Sequence, residues 1–120
     1  MISVGVDIIE ISRIAAALER WGERFLRHVY TPDEVAFCGS RVPELAARFA
    51  AKEAISKALG TGLAGIYWRE MEVLPDHRGK PLVHLYGHAA ERAQALGLGE
   101  FAISLSHSDE YAVAMVVAVG

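Results

Sequence analysis

The alanine-rich run Arg48 to Gly62, RFAAKEAISKALGTG, constrains the fold most. It reads as the second part of a helix from about Pro43 to Leu59, stopped by Gly60-Thr61-Gly62. Glu53 and Lys57 lie within about 40° of each other on such a helix, at about 100° per residue. Ala51, Ile55, Ala58 and Leu59 fall on roughly the opposite side. A helix that turns this apolar side inward presents Glu53 and Lys57 to a cleft or to water. One reading is an exposed ion pair followed by a glycine cap. The other is a metal-and-phosphate site.

The remainder of the chain supplies strands and further helices. Ile2 to Ile9 alternate as a strand, with Ile2, Val4, Val6 and Ile8 on one face and Ser3, Gly5 and Asp7 on the other. Ile11, Ile14, Leu18, Trp21 and Phe25 follow a helical period over residues 11 to about 27, and Gly22 is expected to bend or break that helix. Arg13, Arg20, Arg24 and Arg27 share another face of it. Thr31, Pro32 and Glu34 form a capping-box start for the next helix. WREMEVLPD reads as a strand, HRGK as a turn and PLVHLYG as a strand. Residues 88–96 form a short helix closed by Gly97, and FAISLSHS and YAVAMVVAV are strands joined by a tight turn near Asp109. The sum is one compact α+β domain over residues 1–120, an antiparallel sheet packed with helices.

Bulk properties narrow the function classes. At 120 residues and 52% hydrophobic, the chain can bury a core without disulfides. Its single cysteine, Cys38, makes no internal bridge and no zinc cluster, which fits a reducing compartment. No basic-then-apolar segment precedes the first strand, and no apolar run approaches the ~20 residues that span a bilayer, so a cytoplasmic protein without a membrane partner is expected. A formal net charge of −3 argues against a nucleic-acid partner and requires any basic docking surface to be local.

Asp7 is the residue that needs a reason. Aspartate is depleted in strands, and a carboxylate at the end of a strand is paired, hydrated, capping the next helix or bound to a cation. Asp7 and Glu53 together suit Mg²⁺, which takes one or two carboxylates and completes its shell with water and phosphate oxygens. His107 lies at a strand end, where a side chain can reach a site. Ser106, His107 and Asp109 make only a weak triad signal, because adjacent strand residues point to opposite faces and no nucleophile elbow is present. Neither a Walker A loop nor a G-x-G-x-x-G is present. The glycines at 60 and 62 nevertheless let backbone amides approach a phosphate.

Four stretches occur in a fixed order: GVDIIEISRI, RFAAKEAISKALGTG, GKP at Gly79 to Pro81, and SLSHSDEYAVAMVV. Together they resemble the holo-acyl-carrier-protein synthases, the short bacterial type of 4′-phosphopantetheinyl transferase, from Gly5 to Val117. The resemblance implies transfer of the 4′-phosphopantetheine arm of coenzyme A to a serine of apo acyl carrier protein, a step serving fatty acid biosynthesis. It implies Mg²⁺ held by Asp7 and Glu53, phosphate contact by Lys57, and catalysis by Glu53, Lys57 and Asp7. It implies coenzyme A binding by Arg48, Lys57, Gly60, Thr61, Pro81, Ser106 and His107. It also implies a homotrimer with sites between subunits, His107 coming from the neighbour. The serine proton would pass to Glu53 or to a water held by the metal and a carboxylate. Arg13, Arg20 and Arg24, with Arg27 beyond the bend, would dock the acidic carrier. A small Mg²⁺-dependent phosphohydrolase and a non-catalytic module binding an acidic partner are the alternatives.

Overall fold

The computed structural model describes residues 1–120. In chain order the elements are β1 (Ile2–Glu10), α1 (Ile11–Trp21), α2 (Glu23–Val29), α3 (Pro32–Cys38), α4 (Val42–Ala58), a 3₁₀ turn (Trp68–Glu70), β2 (Met71–Pro75), β3 (Pro81–Leu85), α5 (Gly87–Leu96), β4 (Glu100–His107) and β5 (Tyr111–Val119). The strands form two antiparallel sheets, one ordered β1-β5-β4 and one the hairpin β2-β3. This is the expected α+β architecture, with the antiparallel strands divided between two sheets.

Local signals explain most boundaries. Gly22, at φ 55°, ends α1 and starts α2, so the helix over residues 11 to about 27 breaks where its glycine was expected to bend or break it. Thr31 Oγ1 accepts from the Glu34 N–H at 3.2 Å while Glu34 Oε1 accepts from the Thr31 N–H at 3.0 Å, closing the capping box of α3. Gly97 closes α5 in the left-handed region. Trp68 to Glu70 do not extend β2 as expected but coil into the 3₁₀ turn, where the Trp68 ring stacks on Phe49 of α4 with centroids 4.7 Å apart.

Helix α4 is the centre of the molecule. Its alanines pack against Ala112, Ala114 and Ala118 of β5, all buried, and small residues on both sides let backbone approach backbone. Closest is Gly5, where a Cβ would lie 1.9 Å from the Ala54 carbonyl oxygen. Ser3 Oγ donates to the Ala58 carbonyl at 2.6 Å on the same seam. The face of β1 turned to α4 is therefore Ser3, Gly5, Asp7 and Ile9. Its more apolar face, Ile2, Val4, Val6 and Ile8, is bare, with Val6 55% exposed. In register beside Val6 stand Met115, 52% exposed, and Ser104.

A buried polar network ties the helices to β2. Lys52 and Glu34 are fully buried and paired at 2.7 Å. Lys52 Nζ also donates to the carbonyls of Trp68, at 3.2 Å, and Met71. Glu34 Oε2 accepts from the Val73 N–H at 2.8 Å. Thr31 Oγ1 donates to Glu72 Oε2, and Tyr86 Oη donates to Glu72 Oε1 at 2.9 Å. Burial pulls the Lys52 ammonium below its usual range, with Glu34 opposing. No buried side-chain polar atom lacks a partner, so these charges are kept inside without an orphan.

Candidate active site

The β1–α4 seam brings three of the expected residues together. Lys57, in the last turn of α4, places Nζ 3.2 Å from Asp7 Oδ1 and 2.9 Å from the Val6 carbonyl oxygen, across fifty residues of sequence. Glu53 lies one turn earlier on the same side of α4. Burial and then the Asp7 charge push its carboxyl above the usual range, and Lys57 only partly offsets them. A carboxyl whose ionisation a neighbouring carboxylate opposes marks a place short of positive charge.

That donor set suits a hard divalent cation. No group of three or more His, Cys, Asp or Glu side chains surrounds the place. Two carboxylates leave the remaining positions of an octahedral shell to water and phosphate oxygens, the arrangement Mg²⁺ takes. Zinc would ask for more nitrogen or sulfur. Cys38 offers none, being fully buried with its thiol pushed up to about 11 by burial.

The glycine turn follows directly. The Gly60 N–H donates to the Lys57 carbonyl at 3.0 Å, and the Gly62 N–H to Ser56 at 3.2 Å. Gly60 and Gly62 have positive φ, which the tight exit from α4 requires. Thr61 Oγ1 is turned inward onto the Gly62 carbonyl. Arg92 Nε donates to the Leu59 carbonyl at 3.0 Å and braces the turn from α5.

Arg48 and Pro81 meet elsewhere, in a cleft of about 410 Å³ lined also by Lys80, Gly79 and Ser104. Arg48 is buried, donates Nε to the Val73 carbonyl at 3.0 Å, and sits 4.6 Å over the Phe37 ring. Lys80 is a second cation there that sequence reasoning passed over, although it stands inside the GKP stretch. Ser106 and His107 are exposed at the end of β4 and lie apart from the trio. Ser106 is in register with Val113 and Ile8, on the bare face. His107 is in register with Ala112 and Ile9, two strands from β1, about 10 Å at sheet spacing. One chain does not bring His107 to Asp7.

Arg13, Arg20, Arg24 and Arg27 are all exposed. None pairs with Glu19 or Glu23 or any other carboxylate. Trp21, expected in the apolar stripe, is corrected to a surface residue: it is 49% exposed, with the Arg20 and Arg24 guanidinium groups 5.0 and 5.9 Å from its ring. The bend at Gly22 turns it out of the core. With Phe25 and His28 it lines a surface depression of about 380 Å³. Aromatic and arginine side chains together are the composition of interface hot spots.

Fold and site define a small α+β protein with a two-carboxylate, one-ammonium centre and a basic face of its own. Residues 3–116 match the 4′-phosphopantetheinyl transferase superfamily, and the chain belongs to that family. It is 50% identical to a holo-acyl-carrier-protein synthase of Herpetosiphon aurantiacus, with 100% of both chains covered. It is 52% identical to one of Dehalococcoides mccartyi, with 98% of each covered. Among solved structures it is similar to the Helicobacter pylori holo-acyl-carrier-protein synthase in complex with coenzyme A, at a TM-score of 0.89 and 29% identity, covering 97% of this chain and 99% of that one.

Proposed function

We propose that this protein, acting as one domain over residues 1–120, transfers 4′-phosphopantetheine from coenzyme A to a serine hydroxyl of apo acyl carrier protein and releases adenosine 3′,5′-bisphosphate. The observation that carries this reading is the convergence of Asp7, Glu53 and Lys57 beside the glycine turn, in a member of this family. Coenzyme A bound to the Helicobacter pylori relative supports the donor.

Asp7 and Glu53 would hold Mg²⁺, whose chemistry when bound is to neutralise charge on the diphosphate. Lys57 adds an ammonium that binds phosphate and stabilises charge developing on the departing bisphosphate. The serine oxygen forms a bond to the phosphorus carrying pantetheine as the phosphorus–oxygen bond to the bisphosphate breaks. The serine proton goes to a base. Glu53 would take it directly, or a water held by the metal and a carboxylate would. Arg48, Lys80 and Pro81 would hold the nucleotide end of coenzyme A, with Gly60 and Thr61 nearer its phosphates.

The separation of His107 from the trio, and the bare apolar face of β1 and β5, support a homotrimer in which a neighbouring copy supplies Ser106 and His107. The unpaired arginines of α1 and α2 support docking of an acidic carrier. No helix is long and apolar enough to cross a membrane, and with the single thiol this supports a cytoplasmic location.

The deciding experiment incubates the protein with coenzyme A and apo carrier, with and without Mg²⁺, and weighs the carrier. A gain of one phosphopantetheine that requires Mg²⁺ is expected. Bisphosphate release without a gain would mean hydrolysis. Carrier binding without coenzyme A binding would mean a docking module.

A further inference from the structure

We propose that the Lys57 ammonium is a resident counter-ion on Asp7 that an incoming divalent cation must displace, so that cation and coenzyme A bind cooperatively. This rests on the reading of Asp7 and Glu53 as the metal ligands.

The geometry behind it is specific. Lys57 Nζ donates to Asp7 Oδ1 at 3.2 Å and to the Val6 carbonyl at 2.9 Å. The ammonium therefore sits between β1 and α4, on one of the two carboxylates that would hold the metal. Mg²⁺ ligates a carboxylate oxygen at about 2.0–2.1 Å. A second full charge hydrogen-bonded to the same oxygen would lie a few ångströms from the ion, with strong mutual repulsion. Both cannot keep Asp7 Oδ1.

Lys57 is able to leave. Its side chain is 51% exposed, whereas that of Asp7 is 20% exposed. The lysine has four rotatable stem carbons and sits in the last turn of α4, next to Gly60, so its head can swing from the strand toward the glycine turn. A phosphate oxygen there would give the ammonium the partner it lost. The cation then meets less competition when coenzyme A is present. By linkage, coenzyme A meets a freer Lys57 when the cation is present. Lys57 would thus have two stations, Asp7 and phosphate, and occupation of either ligand site favours the second.

The size of the effect is bounded by what Lys57 contributes on Asp7. A partly exposed ion pair is worth up to about fivefold in an equilibrium. Lys57→Met should therefore bind Mn²⁺, without coenzyme A, about two- to fivefold more tightly than wild type, read from the free Mn²⁺ signal in electron paramagnetic resonance. Coenzyme A should tighten Mn²⁺ binding less in the variant. In the wild type, Mg²⁺ saturation should move the Val6 carbonyl carbon upfield as its hydrogen bond is lost, and Lys57→Met should not show that component. Lys57→Gln serves the same comparison if Met is not tolerated. Equal or weaker Mn²⁺ binding in the variant, or a Val6 carbonyl that Mg²⁺ leaves unmoved in the wild type, overturns the displacement and leaves the metal assignment standing. No Mn²⁺ binding by either protein, with or without coenzyme A, overturns the metal assignment and this inference with it.

Discussion

Gly5 on β1 and Ala54 on α4 are in backbone contact, so close that a Cβ on residue 5 would meet the Ala54 carbonyl oxygen at 1.9 Å and the Ala58 nitrogen at 3.1 Å. Asp7 follows Gly5 by two residues on the same face of the strand, and Glu53 precedes Ala54 by one on the helix. The approach of strand to helix therefore influences how near the two carboxylates stand. Gly5→Ala should push the elements apart, costing about 1–3 kcal/mol or more because the obstructing atom is backbone. Thermal melting and turnover should fall together. A variant that melts like its parent would show that the seam has room.

Lys52→Met should be severe in another way. It would leave Glu34 buried without its ammonium, a change that typically costs about 3–5 kcal/mol. Urea denaturation measures it. A loss below about 1 kcal/mol would mean that the pair contributes little to holding α3, α4 and β2 together.

Asp7→Asn and Glu53→Ala should each lower kcat/KM at saturating Mg²⁺ by one or more orders of magnitude, on the scale of losing a charge-stabilising contact. Near-parental turnover in both would remove the metal assignment. Glu53→Gln has a second readout. The folded-state carboxyl titrates above its unfolded value, so the folded protein loses stability as pH rises from the ordinary carboxylate range through the raised one. Above that window the penalty is constant, and below the ordinary range it is absent. Glu53→Gln should therefore melt at or above the parent at neutral pH, with the gap closing as pH falls through the window. A variant that melts lower at neutral pH reverses the sign.

Charge reversal at Arg13 or Arg20 should raise KM for the carrier and leave coenzyme A binding unchanged, since both side chains are exposed and lie on α1. Steering between opposite charges is screened over about 8 Å at physiological salt, so added salt should weaken the wild type more than the reversed variants. Equal salt sensitivity with an unmoved KM would reduce the stripe to a hydrated face. Trp21→Ala belongs in the same series and should also raise that KM.

Val6→Asp places a charge in the middle of the bare β1 face, opposite Met115. Light scattering should report trimers for the wild type and monomers for the variant, with transferase activity lost as the neighbouring His107 is lost. A trimeric Val6→Asp would mean that the copies meet elsewhere.

What the sequence determined by itself is local or ordered along the chain. The Thr31–Glu34 capping box, the break at Gly22 and the stop at Gly97 depend on residues within a few positions of each other, and each is where the sequence puts it. The order of the four motifs likewise identified the family. Tertiary structure decided the rest. Period-two alternation divides β1 into two faces but does not say which is covered. Only an alanine-lined helix, able to approach Gly5, buries the small-residue face and strips the apolar one bare. The sequence sets Glu53 and Lys57 on the polar side of the helix and gives no sign that their neighbour Lys52 is different from them in burial. Packing against α3 and β2 buries Lys52 completely, while Glu53 is left half-buried and Lys57 open beside Asp7. Trp21 fits the helical stripe and yet is exposed, because the chain turns at the next residue. The contact that most defines the site, Lys57 with Asp7, joins residues fifty apart, and no local periodicity encodes the folding that closes such a distance.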